Sequence, residues 1–147
     1  MAGARERADV VFFARVTAIE RLAAQRLERA LPAGLSAASL AVLNRLAIAA
    51  APLTPQELAR ALQLSKPAMT HTLQRLERQR LVELRGDPDD GRRKRVTLTA
   101  AGAEAQKAAL AAVRPRLEEV RAAFAAAEFE AALPFLERLG AWLAAHP

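Results

Sequence analysis

Cysteine is absent from this chain of 147 residues, which excludes disulfides, thiolate metal sites and thiol-based redox sensing. Long apolar runs are missing as well. No window approaches the roughly 18 uninterrupted apolar residues of a membrane span, so no membrane partner is expected. The N-terminal stretch Met1-Ala-Gly-Ala-Arg-Glu-Arg7 is charged, and the apolar Val10 to Phe13 after it is cut short by Arg15. That is no signal-type block, and the cytoplasm is the expected location. Histidine occurs only as His71 and His146. With no thiolate to join them, neither a metal nor a cofactor is expected. No Ser/His/Asp set, phosphate-cradling glycine loop or paired-carboxylate arrangement stands out, and Glu118-Glu119 reads most simply as a solvated helix face. An enzyme is not expected.

What is present is positive charge. Lys plus Arg number 22 against 16 Asp plus Glu, a net charge of +6. That suits a polyanion, though many soluble proteins that bind no nucleic acid are equally basic. The distribution is more telling. Thr54 to Thr99 holds 10 of the basic and 6 of the acidic residues, and Arg92, Arg93, Lys94 and Arg95 are consecutive. The length suits one domain, residues 1–147, with a core that needs no staples.

Apolar spacing predicts mainly α structure with one small β-hairpin. Phe12, Val16, Ile19, Ala23 and Leu27 recur at three- and four-residue steps, giving a helix over about 6–31 that Leu31-Pro32-Ala33-Gly34 ends. Ser36 is a suitable cap for a second helix, with Leu40, Leu43 and Ala47 on one face. Thr54-Pro55-Gln56-Glu57 is a capping box with proline at the first helical position, opening a short helix to about Leu62. A tight turn at Gln63-Leu64 then leads to Ser65, which caps a helix to about Gln79; the pair is a helix-turn-helix. Leu81 to Arg85 and Arg95 to Leu98 read as strands around the turn residues Asp87 to Gly91. Everything beyond Thr99 reads as helix, with a kink or break expected at Pro115 and at Pro134.

The terminal helices carry more apolar periodicity than a small winged module covers. A second copy of the chain is the simplest partner for that surface, and folding back onto the chain's own core is the alternative.

Several stretches carry a resemblance. They are Gly34-Leu-Ser36 with Val42-Leu43, Glu57-Leu58-Ala59 with Leu64-Ser65-Lys66-Pro67, and Leu76-Glu77 with Leu81-Val82. The most specific is Asp87-Pro88-Asp89-Asp90-Gly91-Arg92-Arg93, followed by Val96-Thr97-Leu98-Thr99 and Gly102. Together they resemble the MarR family of bacterial transcription regulators over about residues 34–102. The resemblance implies a winged helix-turn-helix lobe at 34–102 and a helical dimerisation region formed by 6–31 with 103–145. It also implies a homodimer on a pseudo-palindromic operator, usually a repressor. A small, commonly aromatic effector would release the DNA. The alternative function is a winged-helix protein-interaction module without sequence-specific DNA binding, against which the basic hairpin argues.

The expected DNA-binding residues are Thr54, Ser65, Lys66, Pro67, Thr70, His71, Gln74, Arg75, Asp90, Arg92, Arg93 and Lys94. Met69, Leu73 and Leu76 are expected to pack inward. Ser65 caps its helix while the neighbouring amides can approach a phosphate. His71 stands where several relatives carry a base-reading arginine; it can donate to guanine through one ring nitrogen, or lie exposed or on a phosphate without sequence preference. Gln74 suits adenine, and Arg75 suits guanine or, preferably, phosphate. Resemblance places Arg92 at the wing tip, where the family inserts an arginine into the minor groove. Asp90 is positioned to hold that guanidinium, or simply to form the turn. Arg93 and Lys94 meet phosphates or are solvated. Arg80 replaces the glycine that many relatives carry as a helix stop; a left-handed residue there costs roughly 1 kcal/mol, so a different turn geometry is expected. Effector-binding residues are unknown. Phe12, Phe13, Val16, Leu40 and Leu43 would suit an apolar aromatic compound but serve equally well as core or dimer residues, which is the favoured reading.

Overall fold

A computed structural model describes residues 7–147. The charged N-terminal stretch before Arg7, and with it residue 6 of the expected first helix, lies outside the described residues. The elements in chain order are α1 (Ala8–Ala30), α2 (Ala37–Ala47), α3 (Pro55–Leu62), α4 (Lys66–Arg78), β1 (Val82–Gly86), β2 (Lys94–Leu98), α5 (Ala100–Ala123) and α6 (Ala126–Ala145). The fold is mainly α with a two-stranded antiparallel wing.

Local chemistry sets each boundary. The Ser36 hydroxyl accepts the Ser39 amide at 3.1 Å to start α2. Before α3 the capping box closes in both directions: Thr54 Oγ1 accepts from Glu57 N at 3.1 Å and Glu57 Oε2 accepts from Thr54 N at 2.7 Å. Such caps are worth about 1 kcal/mol. Both α3 and α4 end in left-handed residues that are not glycine, Gln63 (φ 55°) and Arg80 (φ 59°). In each turn the amide one residue further on bonds back across the last turn, Leu64 N to Ala59 O and Leu81 N to Leu76 O. These are Schellman closures. The altered geometry expected at Arg80 is therefore not what forms. The full turn is kept, and Arg80 takes the left-handed conformation that a glycine would take without strain.

The lobe's core draws on five elements. Val42, Leu43 and Leu46 of α2 meet Leu58 of α3, Met69, Leu73 and Leu76 of α4, Val82 of β1 and Val96 of β2. Leu43, Leu58 and Leu76 are completely buried, and each such leucine contributes about 1.5 to 3 kcal/mol. A smaller cluster of Leu31, Leu40, Ala109 and Val113 ties the α1–α2 connection to α5. Gln106 Nε2 donates to Asn44 Oδ1 at 2.9 Å beside it. The strand register pairs Val82 with Leu98 and Leu84 with Val96. Leu53, in the loop before α3, forms an isolated antiparallel bridge to β2 by exchanging both bonds with Val96, at 3.2 and 2.7 Å.

The chain divides into two compact units, the first ending at Val113 and the second running Arg114–Pro147. Neither Pro115 nor Pro134 breaks its helix. The break comes instead after Ala123, where the Ala125 amide is held by Glu128 Oε2 at 2.9 Å and α6 begins. A proline removes one hydrogen bond and strains one carbonyl, which helices of 24 and 20 residues absorb. Neither α1 nor α6 has a buried residue. Phe13, Ile19 and Leu22 on α1 and Phe129, Leu133 and Trp142 on α6 are all more than two-fifths exposed. Among the described residues no helix is long and apolar enough to cross a membrane.

Candidate nucleic-acid interface

α4 presents two chemically distinct faces. Met69, Thr72, Leu73 and Leu76 are buried, with the Thr72 hydroxyl donating to Ala68 O at 2.9 Å. Lys66, Pro67, Thr70, His71 and Gln74 are exposed on the opposite side. The helix starts at Ser65, whose Oγ accepts the Ala68 amide at 3.3 Å. Arg75 differs from the others. It is half-buried, and its Nη2 reaches Gly34 O at 3.4 Å, beside the shorter 2.9 Å bond from Gln79 Nε2 to the same carbonyl. These contacts fasten α4 to the α1–α2 turn. Gly34 itself has φ 88°, and a Cβ there would meet Gln79 Nε2 at 2.8 Å.

The wing is shaped by its acids. Asp87 Oδ1 accepts the Asp89 amide at 3.0 Å, and Asp90 Oδ1 accepts the Arg92 amide at 3.0 Å. Asp87 N donates to Arg93 O at 2.8 Å, closing the loop. Two successive Asx turns thus fix the tip backbone. Asp90 does not brace the Arg92 guanidinium; it holds the Arg92 main chain, and its other oxygen lies 3.9 Å from Arg93 Nε. The arginine side chain is left exposed on a backbone that its neighbour has fixed. A short Asx turn brings the carboxylate to the amide two residues on, so the local bond takes the place of a side-chain pair.

A cleft of about 630 Å³ lies between the starts of α3, α4 and β2. Thr54, Lys66, Thr70, Arg93 and Lys94 of the expected residues line it, joined by Glu57 and Arg60. Ser65, Pro67, His71, Gln74, Arg75, Asp90 and Arg92 lie outside that lining. Glu57 is an acid in this basic cleft, and its carboxyl is held below the ordinary value. The Thr54 amide is the main cause, with Arg95 and Arg93 adding to it against partial desolvation. Of the five residues considered for an effector cleft, Leu40 and Leu43 are buried, in two different clusters. Phe13 and Val16 are exposed on α1.

Sequence reasoning assigned Arg95 no role beyond strand and charge. It is the most connected side chain of the wing. Its Nε donates to Asp87 Oδ2 at 2.9 Å and its Nη1 to Pro52 O at 3.3 Å, with Glu57 Oε2 at 3.8 Å. Its place in a run of four cations concealed this, since strand alternation turns Arg95 and Val96 to opposite faces.

The MarR family model matches residues 33–93, from the α1–α2 turn through the wing tip. The chain is similar to wild-type MarR (apo form) from E. coli, at 28% identity over 84% of this chain and 93% of that one, with a TM-score of 0.69. Residues 33–93 thus match the MarR family, on a fold that the chain shares with MarR from E. coli. MarR proteins are transcriptional regulators rather than enzymes, and the family model takes in the helix-turn-helix, β1 and the wing loop as far as Arg93. The chain is also similar to PcaV from Streptomyces coelicolor in complex with its natural ligand, with 21% identity, 95% and 97% coverage and a TM-score of 0.79. The S. aureus MepR F27L mutant bound to an oligodeoxyribonucleotide gives 24%, 92%, 96% and 0.55. A search of curated proteins finds no match.

Proposed function

We propose that this protein is a cytoplasmic, homodimeric repressor of a pseudo-palindromic operator, released by a small, aromatic effector. The observation that carries DNA binding is the combination of a fully exposed polar face on α4 with an exposed Arg92 on an Asx-fixed wing tip. His71, Gln74 and Thr70 would meet base edges in the major groove, while Pro67 starts the helix in the orientation that aims them there. Lys66, Arg93, Lys94 and the amides behind Ser65 and Thr54 would take phosphates. Arg75 would take a phosphate by leaving Gly34. Arg92 would enter the minor groove, where narrow A·T-rich tracts attract a guanidinium. Asp90 serves by fixing the Arg92 backbone.

Dimerisation draws support from α1 and α6, which lack any buried residue and expose apolar side chains that a second copy would cover. The effector proposal draws on PcaV, whose structure holds its natural ligand.

The test is titration of the protein against duplex from its own upstream region and against fragments captured from its genome. Affinity should fall steeply with salt, and the footprint should cover two half-sites about 10 base pairs apart. Arg92→Ala should weaken operator binding by roughly 1 to 3 kcal/mol while leaving the dimer folded. No salt-dependent affinity for any duplex would end the reading and leave a protein-interaction module. A variant within about twofold of wild type would remove Arg92 from the minor groove.

A further inference from the structure

We propose that Arg95 is a positioning residue for DNA recognition, a clamp that fixes the wing against the start of the helix-turn-helix while touching no DNA itself. The proposal rests on the DNA-binding reading above.

Three separate segments converge on this one guanidinium. Nε bonds Asp87 at the base of the wing loop (2.9 Å), and Nη1 bonds the Pro52 carbonyl in the α2–α3 loop (3.3 Å). Glu57 in the first turn of α3 completes the set at 3.8 Å. Only a planar fork with several donors can serve all three at once. The partners are committed too. Asp87's side chain is 8% exposed, and its other oxygen holds the Asp89 amide. The Asp89 amide and Arg95 together keep the Asp87 carboxyl below its ordinary value. Glu57 is fastened to Thr54 N.

The strand register gives a second argument. Arg85 and Arg95 are directly opposite each other, and like charges in that position destabilise a hairpin. The hairpin tolerates the pair because each arginine is drawn along its own side to an acid. Arg85 goes to Glu83 at 2.8 Å and Arg95 to Asp87 at 2.9 Å. Directly beneath, Val96 exchanges both main-chain bonds with Leu53, next to the Pro52 carbonyl and the Thr54 cap. Side chain and main chain therefore join β2 to α3 at the same point. The hairpin extends outward from this joint, so a small rotation at Arg95 moves Arg92 at the tip.

The test uses the full-length protein and a duplex of its own upstream region. Wild type is titrated first; absence of salt-dependent binding would sink the DNA-binding reading and the clamp together. Given binding, Asp87→Asn is the decisive variant. It removes a negative charge from a DNA-facing lobe, so simple electrostatics makes binding tighter. The clamp makes it weaker, by roughly five- to twentyfold. Arg95→Lys keeps the charge but cannot span the partners, and should lose a similar factor. A phosphate contact would survive that exchange. In an Arg92→Ala background either change should add less than about twofold, because the clamp acts through the tip. Amide exchange without DNA should quicken at Asp87 and Val96 in Arg95→Lys, with the thermal midpoint still cooperative. Asp87→Asn binding as tightly as wild type or tighter would overturn the clamp. So would full additivity with Arg92→Ala, or unchanged exchange at both amides.

Discussion

Adding one methyl group at Gly102 should destabilise this protein, although the position is inside a helix. Gly102 is buried in the first turn of α5. A Cβ there would lie 1.9 Å from the Leu81 carbonyl oxygen and 2.8 Å from Leu98 Cδ1. Ordinary contact begins at roughly 3.5 Å, so α5 must retreat by about 1.5 Å. It is held where it is by Thr99, whose amide donates to Leu81 O at 3.1 Å. The Thr99 hydroxyl donates to Arg80 O at 2.8 Å and accepts the Gly102 amide at 2.9 Å. Retreat breaks the first two bonds, at about 1 kcal/mol each, and the overpacking against Leu98 adds about 1 to 2 kcal/mol of strain. Against this stands the helix propensity of alanine, worth about 1 kcal/mol. The net expectation for Gly102→Ala is a loss of about 2 to 3 kcal/mol, or a thermal midpoint lower by about 5 to 10 °C. Circular dichroism melts of both proteins at one matched concentration measure it, since a dimer's midpoint depends on concentration. An unchanged or higher midpoint would refute the reasoning, because it would mean that α5 slides off the end of α4 without cost.

The remaining predictions concern the caps. Arg80→Gly should raise stability by about 1 kcal/mol, because φ at this position is 59° and glycine removes the left-handed penalty; a lower denaturant midpoint would show that the arginine side chain contributes more than its strain. Glu57 has a depressed pKa in the folded state, chiefly through the Thr54 amide. Its contribution is therefore fully present above the ordinary value of 4.5 and is lost as pH falls through the lower folded value. Wild type should lose stability below about pH 4.5, whereas Glu57→Gln should begin less stable and fall less steeply, a comparison that urea titrations at several pH values would decide.

Local devices were legible because each is written within a few residues. Ser36, the Thr54–Glu57 box, Ser65 before Pro67 and the inward set Met69, Leu73 and Leu76 all follow from spacing alone, and the structure places each as expected. What spacing could not give is any bond made over distance. Arg75 falls on the outward side by helical periodicity, yet its guanidinium turns back to Gly34, 41 residues away. Thr72 reads as polar but lies buried, with its hydroxyl satisfied within the helix. Pro115 and Pro134 were expected to interrupt their helices. The actual break between α5 and α6 falls at Phe124-Ala125, where no proline or glycine marks it, and Glu128 caps the new start.

The wing shows most clearly why a charge run in sequence overstates a binding surface. Four consecutive cations, Arg92 to Arg95, read as four contacts for a polyanion. Folding removes Arg95 from that count, because Asp87, Glu57 and the Pro52 carbonyl occupy it. The three acids of the turn look unfavourable beside DNA, but two of them are consumed in making the tip, at the amides of Asp89 and Arg92. A carboxylate bonded to main-chain amides has part of its charge balanced where it sits. So the outward surface of the wing keeps three cations, and the acids supply geometry. With Arg93 and Lys94 on phosphates and Arg92 in the minor groove, phosphate contacts from the wing of each lobe would add roughly 1.8 to the logarithmic salt slope rather than the roughly 3.6 that four would give. Specificity and affinity are then separable on this hairpin. On the proposed reading Arg93 and Lys94 would add affinity for any duplex, while Arg92 would depend on a tip that Asp90 shapes and on a base that Arg95 holds in place.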